Sequence, residues 1–128
     1  MPADGPAPLL GGRAPIGGYG RGVFRTGGVQ HHGSLLILPG GTFPWPVASM
    51  ADVNAASLAP VLALGKAAGF LLLGTGPTQI FPDTTLRQAF AAAGIGLEAM
   101  DTGAACRTYN VLLGEERVFA AALIALQA

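Results

Sequence analysis

The sequence predicts a single α/β domain in which a short β-meander precedes a β-α-β-α-β run. Three observations carry that expectation. "FLLLG", Phe70 to Gly74, is an apolar run of strand length, as in a strand buried on both faces. Asp83 and Gly94 bracket a segment in which Leu86, Ala89, Phe90 and Ala93 share one helical face, with Asp83 as N-cap and Gly94 as stop. "LEAMD", Leu97 to Asp101, then reads as a strand leading into a second helix from about Thr102 to Leu113. Its inner stripe is Ala105, Tyr109, Leu112 and Leu113, and Gly114 ends it. Strand, helix, strand in one sheet implies a right-handed crossover between parallel neighbours.

The remaining elements follow from turn chemistry. "YGRGVFR" and "GSLLIL" read as strands, and "PGG" after the second turns the chain into "TFPWP". Pro44 and Pro46 cannot donate ladder hydrogen bonds, so that piece belongs on an edge or in a loop. A short helix is expected over Pro60 to Leu64, with Pro60 in its first turn and Gly65 after it. "RVFAAALIAL" reads as a final strand, although its alanines leave a helix open. Residues 1–15 have little to bury and are expected to form a flexible N-terminal tail, leaving 16–128 as the domain.

Charge narrows the function classes. Lys plus Arg and Asp plus Glu number 7 each, and charged residues make up 11% of the chain, against about 25% in ordinary soluble domains. A net charge of zero gives no overall electrostatic footprint for nucleic acid or anionic lipid. So lightly charged a surface is weakly protected against association, which points to a protein partner or a homo-oligomer. One cysteine excludes an internal disulfide and suits a reducing compartment. "MPADGPAPLLGG" lacks a basic n-region and an apolar run, so no secretory signal is expected. "VFAAALIAL" is short of the ~20 residues of a membrane helix. A cytoplasmic chain without membrane insertion is the expectation; any peripheral association would come through a membrane-protein partner.

Ligands of open α/β sheets bind beyond the carboxyl ends of the strands. "GTGPTQ" (Gly74 to Gln79) and "DTGAACR" (Asp101 to Arg107) both fall there. Gly74, Thr75, Gly76, Asp101, Thr102, Gly103, Arg107 and Asn110 are therefore the candidate ligand-binding residues. Thr102 and the free N–H groups opening the second helix would hold a carboxylate or phosphate, with Arg107 one turn along. The competing reading is structural: Asp101 or Thr102 caps the helix, the glycines make turns, and Arg107 pairs locally.

Other chemistries fail on context. "GTGPTQ" has Gln79 where a dinucleotide fingerprint needs glycine. Asp-Thr-Gly-Ala matches an aspartic protease loop, but the apolar-apolar-Gly segment that should follow, "LLLG", precedes it, and the pattern beyond Gly103 is helical. Cys106 lies early in a helix without a base of known proximity, which suits an inert, partly buried thiol. His31 and His32 are adjacent, so on a strand they point to opposite faces and cannot chelate one metal. No metal site, cofactor or catalytic residue is indicated. Trp45, between two prolines, is the aromatic expected to reach a protein partner or to seal a sheet edge.

"YGRGVFRTGGVQHHGSLLILPGG", Trp45, "LLLGTGPTQ" and "MDTGAACRTYN", in this order, resemble a family of small domains of unknown function (Mth938-like). That family includes the mitochondrial NADH dehydrogenase (complex I) assembly factor 3 and the adipogenesis-associated domain proteins. The resemblance covers about residues 15 to 126. It implies a layered domain with a central mixed sheet, with the last strand as the one running against the others. The family's Arg-Thr-Tyr-Asn motif maps onto Arg107, Thr108, Tyr109 and Asn110, its Gly-Thr-Gly onto Gly74, Thr75 and Gly76, and its His before Gly-Ser onto His32. The family supplies no catalytic residue to carry over.

Two functions follow as expectations. The first is a non-catalytic protein-binding domain, similar to the complex I assembly factor and serving NADH-quinone oxidoreductase biogenesis. The second is a small-ligand or anion-binding protein, or an enzyme of unknown reaction, using the crevice between Gly74–Gln79 and Asp101–Arg107.

Overall fold

Two sheets share the chain in a computed structural model that describes residues 8–127. Strands β1 (Ile16–Gly20), β2 (Val23–Thr26) and β3 (Val29–His32) form a small antiparallel sheet in that order. The chain continues through β4 (Ser34–Leu38), β5 (Gly41–Trp45), α1 (Ala59–Leu62) and β6 (Phe70–Gly74). It ends with α2 (Thr84–Ala93), β7 (Gly96–Met100), α3 (Thr102–Gly114) and β8 (Ala120–Leu123). The five later strands build the central sheet in the order β5-β4-β8-β6-β7.

β8 sits at the centre because it is apolar on both faces and small. Its three alanines and Leu123 are fully buried, and alanine lets elements approach closely from either side. One face packs against α1 and α2 through Leu58, Val61, Leu86, Phe90 and Trp45. The other packs against α3 and the small sheet through Ile16, Phe24, Ala105, Tyr109 and Phe119. The domain is thus layered, with helices on one face and a helix beside a second sheet on the other.

The helices end where side chains dictate. Asp83 accepts the N–H of Leu86, and Gly94 closes α2 in the left-handed region at φ 75°. Pro60 sits in the first turn of α1. Gly114 is the last residue of α3, and the left-handed turn beyond it falls on Glu116 at φ 58°.

Four expectations change. "YGRGVFR" is not one strand but a hairpin turning at Arg21 and Gly22, because glycines on both sides of Arg21 release the chain to reverse. "GSLLIL" and "TFPWP" leave the meander and join the central sheet, where Pro44 sits on edge strand β5. The last strand is not the reversed one: β8 runs parallel to β6, and β4 runs against β8. A helical crossover through α3 delivers β8 in the direction of β7, so the reversal falls on the hairpin strand. Residues 9–14, expected to belong to the tail, are docked. Leu9 and Leu10 pair with Thr42, and Ala14 C=O accepts from Thr26 and Tyr109. Arg13 lies 4.9 Å from the Phe119 ring centroid and donates to the Phe119 carbonyl at 3.1 Å. Residues 1–7 of that tail lie outside the described residues.

Candidate functional site

The ends of β6 and β7 diverge as ligand-binding strand ends do. β6 leads to α2 on one face of the sheet and β7 to α3 on the other. The gap between them is filled by the protein's own polar groups. Thr75 N–H donates to Met100 C=O at 2.8 Å, and Thr102 N–H donates to Gly76 C=O at 2.8 Å. The Thr102 hydroxyl accepts from Gly76 N–H at 2.9 Å and donates to Ile124 C=O at 2.7 Å, joining the ends of β6, α3 and β8. Thr75 Oγ1 accepts from Ile80 N–H at 3.1 Å and donates to Thr78 C=O at 2.6 Å.

Gly74, Thr75, Gly76 and Thr102 are therefore brought together, and buried, as a seam. Asp101 caps α3 by accepting from Ala104 N–H at 2.9 Å, which places a carboxylate where an anion would sit. A Cβ on the neighbouring Gly103 would lie 3.1 Å from the Tyr19 hydroxyl and 3.4 Å from Arg107 Nη1. Arg107 is exposed and turns to the small sheet, donating to Tyr19 Oη at 2.9 Å. Asn110 does the same about one turn along: its Oδ1 accepts Ile16 N–H at 2.8 Å and its Nδ2 donates to Ile16 C=O at 2.9 Å. The amide stands in for a neighbouring strand on the open edge of β1.

Trp45 is 3% exposed, with its indole N–H donating to Ser57 C=O at 2.8 Å. That burial corrects the expectation of a partner contact: the ring seals the β5 edge from inside, because the segment from Asn54 to Leu62 folds over it. Cys106 is buried, and burial pushes its thiol up to about 12 against the opposing charge of Arg107. His31 faces inward, 6% exposed, with Nε2 lacking a hydrogen-bond partner, while His32 is exposed. Among the described residues no three His, Cys, Asp or Glu side chains could hold a metal ion. No described helix is long and apolar enough to cross a membrane.

Two surface features escaped the sequence reading. An uncharged groove of about 490 Å³ runs between Met50, Pro77, Ile80 and Ile124, beyond the carboxyl ends of β6 and β8. Ile80 is 43% exposed and its neighbour Phe81 73%. The signal was the sequence "QIFP", two large apolar residues in a loop between prolines. On the outer face of the small sheet, Tyr19, Arg21, Arg25 and Gln30 border a basin of about 310 Å³. Its signal was two arginines among glycines in a region without acids.

Comparisons with known proteins agree with the fold. An uncharacterized protein of Rhodobacter capsulatus is 38% identical over 117 residues, 91% of this chain and 89% of that protein. NADH dehydrogenase [ubiquinone] 1 alpha subcomplex assembly factor 3 of Xenopus tropicalis is 33% identical over 101 residues, 79% of this chain. The match spans 55% of that factor's own length. Among solved structures, an outer membrane protein from Bartonella henselae superposes with a TM-score of 0.86 at 36% identity, covering 91% of this chain and 98% of that one. A Bordetella pertussis protein described as a Mth938-like domain superposes at 0.75 and 28% identity, covering 98% and 92%. The model of a protein family of unknown function (DUF498/DUF598) matches residues 16–124, so the seam, the Asn110 clamp and both sheets lie within one family unit, and the chain belongs to that family.

Proposed function

We propose that this chain is a non-catalytic protein-binding domain that serves the assembly of respiratory NADH-quinone oxidoreductase. The observation that carries the reading is the match of 79% of the chain to a protein named as a complex I assembly factor. The site geometry supports binding over chemistry. The polar groups at the strand ends are spent on one another, whereas Ile80 and Phe81 stand exposed beside an uncharged groove. Exposed apolar side chains next to a concave surface are the usual anchor of a protein contact.

Affinity capture from the native host, followed by mass spectrometry, tests this reading. Subunits of the oxidoreductase should be enriched with the wild-type chain. Phe81→Ser should lose them while its melting temperature stays that of the wild type. Capture that enriches no oxidoreductase subunit would overturn the assembly role. Undiminished capture by a folded Phe81→Ser chain would move the contact elsewhere.

A further inference from the structure

The positive charges of this chain are not spread evenly. Between Asp4 and Asp52 no acidic residue occurs, while Arg13, Arg21 and Arg25 do. Two of these arginines stand on the small sheet. In its register Gly18 pairs with Arg25 and Arg25 with Gln30, so one row crosses all three strands on the outer face. Phe24, Thr26 and His31 occupy the buried face instead. Gly18 and Gly20 contribute no side chains to β1, which leaves the basin of about 310 Å³ open between Tyr19, Arg21, Arg25 and Gln30.

Among the described residues neither Arg21 nor Arg25 has a carboxylate within ion-pair distance; the one pair found is Arg117 with Glu115. Arg107 is not part of this row: Tyr19 pairs with Phe24, on the face opposite Arg25, and its Oη accepts from Arg107 on the α3 side at 2.9 Å. Arg21 also occupies the left-handed region at φ 54°, where glycine or asparagine would fit the turn better.

We infer that this basin binds the carboxylates of an extended, acidic segment of a partner protein. Arginine forks match carboxylates bidentately, and Gln30, paired with Arg25 in the register, adds a neutral donor beside it. The separation of Arg21 and Arg25 along the hairpin, on the order of 10 Å, suits side chains two to four residues apart on an extended chain rather than one enclosed anion. The inference rests on the protein-binding reading above and adds the chemistry of the partner.

The test uses a fluorescein-labelled nonapeptide with glutamate at alternate positions, titrated with the full chain and read by fluorescence anisotropy. Saturable binding that weakens with ionic strength is expected. The double variant Arg21→Gln/Arg25→Gln should bind about 10-fold more weakly or worse at unchanged melting temperature, and Arg87→Gln, on α2, should bind as wild type. Absence of peptide binding would overturn the inference, as would equal binding by the double variant. So would displacement of the peptide by inorganic phosphate at the peptide's own concentration, or equal binding of a single-stranded oligonucleotide. Capture of oxidoreductase subunits by a chain that ignores the peptide would sink this inference alone and leave the proposed function standing.

Discussion

Thr102 and Gly76 are joined twice: Thr102 N–H donates to Gly76 C=O at 2.8 Å, and Gly76 N–H donates to Thr102 Oγ1 at 2.9 Å. The same hydroxyl donates to Ile124 C=O, so one buried side chain holds the ends of two strands and a helix. Thr102→Val keeps the shape and removes the hydroxyl, leaving a buried N–H and C=O unpaired. It should cost about 2–4 kcal/mol, measured by denaturant unfolding. Thr102→Ser keeps both hydrogen bonds and should cost about 1 kcal/mol. A Thr102→Val chain as stable as wild type, with the loss confined to Thr102→Ser, would mean that the methyl group, not the hydroxyl, matters.

Asn110 can be separated from ordinary packing by its charge-bearing analogue. Asn110→Asp retains the acceptor for Ile16 N–H but faces Ile16 C=O with an oxygen instead of a donor. It should be at least as destabilising as Asn110→Ala, each by about 1–3 kcal/mol. Amide exchange at Ile16 should accelerate in both. Protection of that amide in Asn110→Ala equal to wild type would show that the clamp is idle.

Trp45→Ala should cost about 3–5 kcal/mol, because it empties a buried site bounded by α1 and β5. Any loss of partner capture should then track unfolding. A Trp45→Ala chain with wild-type stability that fails to capture its partners would restore the residue to the binding surface.

Alkaline pH should weaken the fold. Burial pushes the Cys106 thiol from 9.0 up to about 12. It also pushes the Tyr109 phenol from 10.0 up to about 12, with the Arg13 charge opposing. The unfolded chain therefore releases these protons before the folded one does, so stability is unaffected by them below about pH 9 and falls as pH rises from there towards 12. Cys106→Ala should flatten the early part of that decline. Denaturant midpoints that stay level up to about pH 11 would contradict the assignment. At neutral pH the thiol should resist iodoacetamide in the folded chain.

Arg21→Asn should stabilise the β1–β2 hairpin by about 1 kcal/mol, because asparagine tolerates the left-handed backbone that arginine holds at φ 54°. Thermal unfolding checks this. A lower melting temperature would show that the guanidinium earns local stability that the turn geometry hides.

What the sequence revealed depended on how local the cause was. Asp83 and Gly94 act within their own helix ends, and their placement as caps was legible from spacing alone; Asp101 was one of two candidates for the cap of α3. The strand "FLLLG" announced itself by its apolar run. The Arg21–Gly22 turn was missed because arginine is not the residue that such turns usually carry. Trp45 was misplaced because its cover comes from the segment around Ser57, a tertiary event that no window around the residue contains. Among the candidate ligand residues, Thr102 looked like an anion cradle since its partners, Gly76 and Ile124, are 26 and 22 residues away. Arg107 and Asn110 share the helix with Thr102 in sequence, yet they serve the small sheet in space.

The central position of β8 has a temporal consequence. The hairpin β4–β5 and the parallel pair β6–β7 have no ladder between them until residues 120–123 slide in. A growing chain on the ribosome would therefore carry two half-sheets with facing apolar edges from the completion of β7 at Met100 until β8 emerges. Closure awaits β8, the last strand of the domain in chain order, so the domain acquires its structure in a late, all-or-none step and is exposed to mispairing until then.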